Sequence, residues 1–438
     1  MPLIRFNRRV RGGQSHEMTA GTTDSATRPP FAPAEPEPSW QGDDPREPRP
    51  ERQDDPFPWL DHMRTVAPVN ETPIGLWRLY RYADCLRVLR EIPAGVRRTD
   101  GSPGKAAMGG GGLSGEGGSF MLQQDPPNHT RLRKLVSKAF TPRAIERWRP
   151  RTREIVDALL APALEAGEIE VMTELALPLP SQLICEMLGV PVADRELFTD
   201  WTTRGIHVLR GEFLSPNERA DVQDAIGHLA DYFTRLIAER RDSLTDDLLS
   251  VMIRAEEEGD RLSPDELLVQ SIGLLAAGFE TTVGLIGLGA KNFARFPEAA
   301  RRLRDEPGRI ESAVEECLRF EGPIGMTTRV LHADAEFDGR VIAKDTTVWL
   351  SIWSSNRDPA VFAEPDRFDI ARDPNPHLGF GGGAHLCLGA HLARMETQEA
   401  LGALLQRTRE LEPAFERIAW GPSLFRVPAA LPMRLRAR

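Results

Sequence analysis

The chain is poor in cysteine. It has only Cys85, Cys185, Cys317 and Cys387 in 438 residues, widely spaced and with no CxxC. That excludes a disulfide scaffold and fits a reducing compartment such as the cytoplasm. A GxxxxGK[ST] phosphate loop is absent. Excess positive charge is lacking as well: 55 Lys+Arg stand against 65 Asp+Glu, a net charge of −10. This is the opposite of the basic footprint that general nucleic-acid binding requires. Residues 1–28 hold five Arg and no apolar core segment, so they do not read as a secretory signal. An extension, a true start at Met18 and, more weakly, a transit peptide remain the readings there. One long apolar run exists, Leu267–Ala290, with Glu280 near its middle and five glycines. A lipid-facing charge at that depth is expensive, so the run reads as a buried helix and not as a membrane anchor.

Residues 28–58 contain ten prolines among charged residues. Such a segment cannot bury enough apolar surface to fold. The expectation is an extension over residues 1–57 and one large unit over 58–438, despite a length prior that suggests more domains. Asp125-Pro126 reads as an N-cap followed by a first-turn proline. Ser263-Pro264-Asp265-Glu266 is a capping box that opens a long helix through about Phe293. Ile310, Val314, Cys317 and Leu318 recur at helical spacing, and Gly322-Pro323 stops that helix. Residues 385–408 predict another helix. Strand signals are short: Trp77–Tyr80, Thr327–Leu331, Thr347–Ile352 and a segment near the C-terminus. The fold class is therefore mainly α with minor β. A glycine-rich stretch, 101–118, reads as a loop. Gly110-x-Gly112-x-x-Gly115 and Gly379-x-Gly381-x-x-Ala384 formally match a dinucleotide fingerprint but lie in no βαβ unit.

The densest chemical signal is Phe380-Gly381-Gly382-Gly383-Ala384-His385-Leu386-Cys387-Leu388-Gly389. The glycines allow a tight turn and close approach of something flat or bulky. A helix starting near Leu388 would aim amide donors and its positive end at the sulfur, favouring the metal-ligating thiolate. A buried cysteine acting as a small hydrophobe is the bland alternative. A zinc site from His385, Cys387 and His391 is another, short of a fourth ligand.

This segment resembles the haem-binding signature of the cytochrome P450 superfamily. Ala277-Gly278-Phe279-Glu280-Thr281-Thr282 is similar to the oxygen-activation motif of that family's central helix. Glu316-x-x-Arg319 is similar to its ExxR, Pro365-Asp366-Arg367-Phe368 to its P-x-R-F element, and His129-x-x-x-Arg133 to the bacterial HxxxR. The five occur in the family's order over about residues 58–438. The resemblance implies a triangular helical domain with a long central helix and small β-sheets around a buried haem b.

It also implies roles. Cys387 is the axial ligand, whose thiolate favours O–O cleavage. Phe380 shields the sulfur, Gly381 shapes the loop, and Gly389 leaves room for the cofactor. His129, Arg133, Arg329 and His385 bind the haem propionates. Thr281 holds water at the oxygen site, Glu280 relays protons, and a local break in the helix accommodates both. Ala277 and Gly278 leave space for oxygen and substrate. Glu316, Arg319 and Arg367 form a buried structural network. The substrate pocket draws on Gly273, Ala276 and Ala277, on Ile324 and Gly325, on Leu424 and Phe425, and on the stretches about 95–120 and Ile206–Phe213. The reaction is insertion of one oxygen atom from O2 into a small organic molecule. No reductase segment follows residue 438, so electrons come from a separate ferredoxin. Arg131–Arg153, with nine Lys/Arg and one acid, is a candidate docking surface for it. A haem-binding sensor without turnover, a peroxide-dependent variant and a zinc-binding structural protein stay open at this point.

Overall fold

A computed structural model describes residues 54–438 except 73–74, 105–113, 116–117, 206, 209–213, 258–261 and 422–424. Of residues 1–57, only the last four are therefore described. Asp54 accepts a hydrogen bond from Trp420 Nε1 at 3.3 Å, and its carbonyl accepts one from Arg426 at 3.1 Å. A helix begins at Phe57 and ends at Val66.

Four helices position the site: α1 (Asn128–Ser137), α2 (Pro264–Arg295), α3 (Ile310–Glu321) and α4 (Ala390–Arg407). The capping box of α2 forms as the sequence predicts. Ser263 Oγ accepts from the Glu266 amide at 3.1 Å, and the Glu266 carboxylate accepts from the Ser263 amide at 2.9 Å. Two orphan donors are thus satisfied at once. Glu266 also pairs with Arg131 of α1. The helix then runs unbroken through the core, with 78% of its apolar stretch buried inside the protein. Helices Pro178–Leu188, Pro216–Arg241, α3 and α4 all pack against it.

The β content is minor and broken into pieces. The main sheet has the order β1-β2-β5-β4-β3, with β1 Val69–Glu71, β2 Trp77–Leu79, β3 Ala94–Gly95, β4 Met326–Leu331 and β5 Thr347–Ser351. Only the β2–β5 pairing is parallel, with Val348 opposite Trp77. Gly95 of β3 lies opposite Val330 of β4, next to Arg329. A second sheet joins Thr408–Pro413, Pro432–Ala437 and Glu168–Glu170. The glycine-rich stretch carries a two-strand hairpin, Ser114–Gly115 with Gly118–Ser119.

Two helix starts differ from the expectation: α4 begins at Ala390 and not at residue 385, and the second is at α1. Asp125 does not cap α1, which begins at Asn128 after Pro126-Pro127. Its carboxylate instead accepts from the Val96 and Arg97 amides, each at 2.9 Å. Those long-range donors outcompete the local amides a capping side chain would serve.

Glu316 and Arg319 have no solvent exposure. Every guanidinium N–H of Arg319 is used: Nε and Nη2 to Glu316 at 2.7 and 2.8 Å, Nη1 to the Asn356 and Pro365 carbonyls, and Nη2 again to the Arg367 carbonyl. The third side chain is not that of Arg367, which points outward to Glu364 with 60% exposure. Arg372 takes that place, its Nε 3.2 Å from Glu316, joined by Asn375 and the Asp369 amide. Beside this network, Glu315 of α3 pairs bidentately with Arg394 of α4 and meets His377 at 3.0 Å.

Two outcomes follow. Arg319→Ala strands a buried carboxylate and should cost about 3–5 kcal/mol, whereas Arg367→Ala should stay within about 0.5 kcal/mol. Arg372→Ala should fall between them, and urea unfolding midpoints rank the three. Burial pushes the Glu315 carboxyl up, but Arg394 and His377 outweigh it and hold it at about 2. A depressed carboxylate stabilises the fold above its unfolded value and loses that contribution as pH falls. Stability should therefore decline between about 4.5 and about 2, and Glu315→Gln should flatten that part of the pH profile of urea unfolding.

Candidate functional site

The cysteine loop is built by a chain of hydrogen bonds that starts at the buried arginine. The Asn356 carbonyl accepts from Arg319, and the Asn356 side chain accepts from the Leu378 amide at 2.7 Å. The Leu378 carbonyl then accepts from the Gly381 amide, and the Phe380 carbonyl from the Cys387 amide at 3.0 Å. Gly381 and Gly383 have φ of +70° and +67°. Only glycine adopts that region without strain, and a Cβ on Gly383 would also lie 2.2 Å from the Leu89 carbonyl oxygen. The loop delivers Cys387 just ahead of α4. Cys85, Cys185 and Cys317 are buried, whereas Cys387 is accessible. Its sulfur is nonetheless densely surrounded by protein, so it lines a recess. Burial pushes the thiol up, against the Gly389 amide, Arg133 and Arg394, which favour the thiolate. A Cβ on Gly389 would meet nothing within 4 Å, so space exists there. The Phe380 ring carries the Arg394 guanidinium at 4.5 Å, which fixes the aromatic beside the loop.

The four residues expected to bind the propionates are brought together. The rings of His129 on α1 and His385 on the loop meet with centroids 4.2 Å apart and planes tilted by 45°. Arg133 reaches the Ala384 carbonyl at 3.3 Å. Arg329, only 7% exposed, donates to the Thr328 carbonyl at 2.7 Å. Among the described residues neither arginine pairs with a carboxylate. His129 Nδ1 and both ring nitrogens of His385 are buried without a hydrogen bond. Burial and the neighbouring His385 and Arg133 charges lower His129 to about 4, so its ring is neutral. Burial likewise lowers His385.

Asp125 completes this cluster and escaped the sequence reading. Its Oδ1 lies 3.7 Å from His385 Nε2. Burial would raise its carboxyl, but His385 and the Val96 and Arg97 amides outweigh that and hold it at about 2. Its spacing four residues before His129 was a signal, masked by the look of an N-cap. Arg372 and Arg394 were missed as well.

On α2, Ala277 is exposed and Ala276, Gly278, Glu280 and Thr281 are half-buried, within a helix whose remaining central residues are buried. The expected break in the helix does not form. Thr281 Oγ1 donates to the Ala277 carbonyl at 3.0 Å, so the backbone stays helical. A Cβ on Gly278 would meet the Ile184 side chain at 3.6 Å, an ordinary contact distance. At Gly273 the Phe120 ring fills the place of a side chain. Gly325 similarly seats the Trp353 ring, and Phe425 is core at 8% exposure. Ile324 is half-buried. Leu424, Ile206, residues 209–213 and the first dinucleotide-like motif up to Gly112 lie outside the described residues.

The basic run divides. Arg131, Arg149, Arg151 and Arg153 pair with Glu266, Glu399 and Glu186. Lys134, Lys138, Arg143 and Arg147 are exposed and make no ion pair among the described residues.

Comparison with known proteins converges on one group. The family model described as Cytochrome P450 matches residues 112–413. Cytochrome P450 monooxygenase PikC of Streptomyces venezuelae is 38% identical over 87% of this chain and 91% of its own length. The Vitamin D(3) 25-hydroxylase of Pseudonocardia autotrophica is 38% identical over 81% and 87%. The crystal structure of P450BioI in complex with hexadec-9Z-enoic acid ligated acyl carrier protein superposes with a TM-score of 0.79 at 34% identity, covering 88% of this chain and 99% of that one. With the match spanning the cysteine loop, α2 and α3 alike, the chain belongs to the cytochrome P450 family of haem-thiolate monooxygenases and has that family's fold.

Proposed function

We propose that Cys387 supplies the axial thiolate of a haem b and that the enzyme hydroxylates or epoxidises a hydrophobic organic molecule, such as a secondary metabolite. The observation that carries this reading is the accessible sulfur in a glycine-turned recess beside His129, Arg133, Arg329 and His385. The donor set fits the group. A soft sulfur suits iron, buried nitrogens without partners suit two carboxylates, and Gly389 puts no side chain in the way. Bound through thiolate, haem activates O2 for transfer of one oxygen atom, with two electrons and two protons reducing the other to water.

The protein's own residues then have distinct tasks. Arg133 and Arg329 provide charge for the carboxylates, and His129 and His385 provide ring N–H donors. Phe380 and Arg394 keep water from the sulfur. The accessible strip of α2 at Ala276, Ala277, Glu280 and Thr281 faces substrate and oxygen. Glu280 carries protons inward, and Thr281 holds one at Oγ1. The relatives' names cover a vitamin D hydroxylase and a complex with a carrier-borne fatty acyl chain, which supports a large apolar substrate. Electrons come from a ferredoxin in the cytoplasm, docking at Lys134, Lys138, Arg143 and Arg147. These exposed cations in an acidic protein give a salt-dependent steering field.

A CO-difference spectrum of the dithionite-reduced protein should show a strongly red-shifted Soret band, which Cys387→Ser abolishes; an unshifted band in the wild type would exclude thiolate ligation. Thr281→Ala should retain haem and that band but divert reductant to hydrogen peroxide, measured as the ratio of product to NADH consumed. Unchanged coupling would remove Thr281 from proton handling.

A further inference from the structure

Asp125 stands between two parts of the molecule that the reading above leaves unconnected. On one side its carboxylate accepts from the Val96 amide at 2.9 and 3.1 Å and from the Arg97 amide at 2.9 Å. On the other, Oδ1 lies 3.7 Å from His385 Nε2, and Oδ2 lies 3.9 Å from His332 Nε2. His332 in turn meets the Arg97 carbonyl at 2.9 Å. Residue 95 admits this arrangement only because it is glycine: a Cβ there would stand 2.4 Å from Asp125 Oδ2. The same Gly95 pairs with Val330, the residue after Arg329.

His385 needs such a partner. Its side chain is 5% exposed, its ring is pressed on His129, and neither ring nitrogen has a hydrogen bond. A buried imidazole in that condition has nothing local to choose its tautomer or ring angle, and a facing carboxylate does both. We propose that Asp125 is a positioning residue that orients His385 toward a haem propionate and ties it to the backbone of the loop at Gly95–Arg97. The inference rests on the haem reading. It adds that the segment leading into the glycine-rich stretch is mechanically joined, through one carboxylate, to the cofactor's carboxylate end. Displacement of Val96 and Arg97 leaves Asp125 without its amide donors and changes how it holds His385.

The test uses the haem-loaded protein. Haem release to apomyoglobin and the midpoint potential are measured for the wild type, Asp125→Asn, Gly95→Ala, His385→Ala and the Asp125→Asn/His385→Ala double variant. Asp125→Asn should keep the red-shifted CO band, release haem about tenfold faster, and raise the midpoint potential because a negative charge is lost. Gly95→Ala keeps the charge but forces the carboxylate off the amides, so release should accelerate with a smaller change in potential. In the His385→Ala background Asp125→Asn should add nothing to the release rate. Release within twofold of wild type for both Asp125→Asn and Gly95→Ala, or additive effects in the double variant, would overturn the positioning role while leaving the CO band, and with it the haem reading, intact. A wild-type protein without that band would overturn the haem reading itself.

Discussion

Arg319 is fully buried and has five N–H groups to satisfy, and each one finds an acceptor: two on Glu316 and three on carbonyls of Asn356, Pro365 and Arg367. A lysine offers three donors from one point and cannot span those positions. The pair need not make the fold more stable than a well-packed apolar pair would. What it does is fix where the 356–372 segment runs over α3. Asn356 passes that position on to Leu378, and Leu378 and Phe380 pass it to the loop that ends at Cys387. Each link is a single short contact, yet the chain as a whole sets the sulfur near Arg133 of α1 and Arg394 of α4. Misplacement at Arg319 therefore propagates to a residue far along the sequence without any direct contact.

How much of this could be read beforehand depended on whether a residue's role is local. The α2 capping box and the glycine stop after α3 are encoded within a few residues and formed as expected. The left-handed turns at Gly381 and Gly383 belong to the same local kind. Arg367 and Arg372 show the opposite case. Both are arginines near ExxR, five residues apart, and nothing local says which one turns inward. The choice is made by the packing of Phe368 on Phe293, Phe296 and Phe320, which anchors the segment there, and by the Asp369 amide on Glu316. Asp125 failed for a related reason. Its local environment matched an N-cap, and only the long-range return of Val96 and Arg97 reveals a different set of donors. Gly273 and Gly325, expected to line the substrate pocket, are where the rings of Phe120 and Trp353 come close. A missing side chain means close approach, and the sequence does not say of what.

Charge followed the same division. Nine cations in Arg131–Arg153 look like one surface, but helix geometry sends them in different directions. Arg133 turns into the recess, three others are neutralised by Glu186 and Glu399 from distant elements, and Arg131 meets the first turn of α2. The four that remain exposed and, among the described residues, without an ion pair carry most of the field this face projects, because a paired charge is largely cancelled by its partner at a distance.

The accessible strip of α2 raises a question of hydroxyl direction. Residues 276, 277, 280 and 281 lie on one side because helical neighbours lie three and four apart, and with Gly278 they form the accessible strip in the middle of α2. On it Thr281 donates its hydroxyl proton to the Ala277 carbonyl at 3.0 Å. The same oxygen can then only accept, from water or from a protonated Glu280. To act as a donor toward the pocket it must leave that carbonyl, at a cost of about 0.5–1.5 kcal/mol for one hydrogen bond. This is small beside a catalytic barrier, so a permanent break in the helix is unnecessary. An intact helix with one rotatable hydroxyl supplies both states: in the first Thr281 Oγ1 can only accept a hydrogen bond from the accessible side, and in the second it can donate one there.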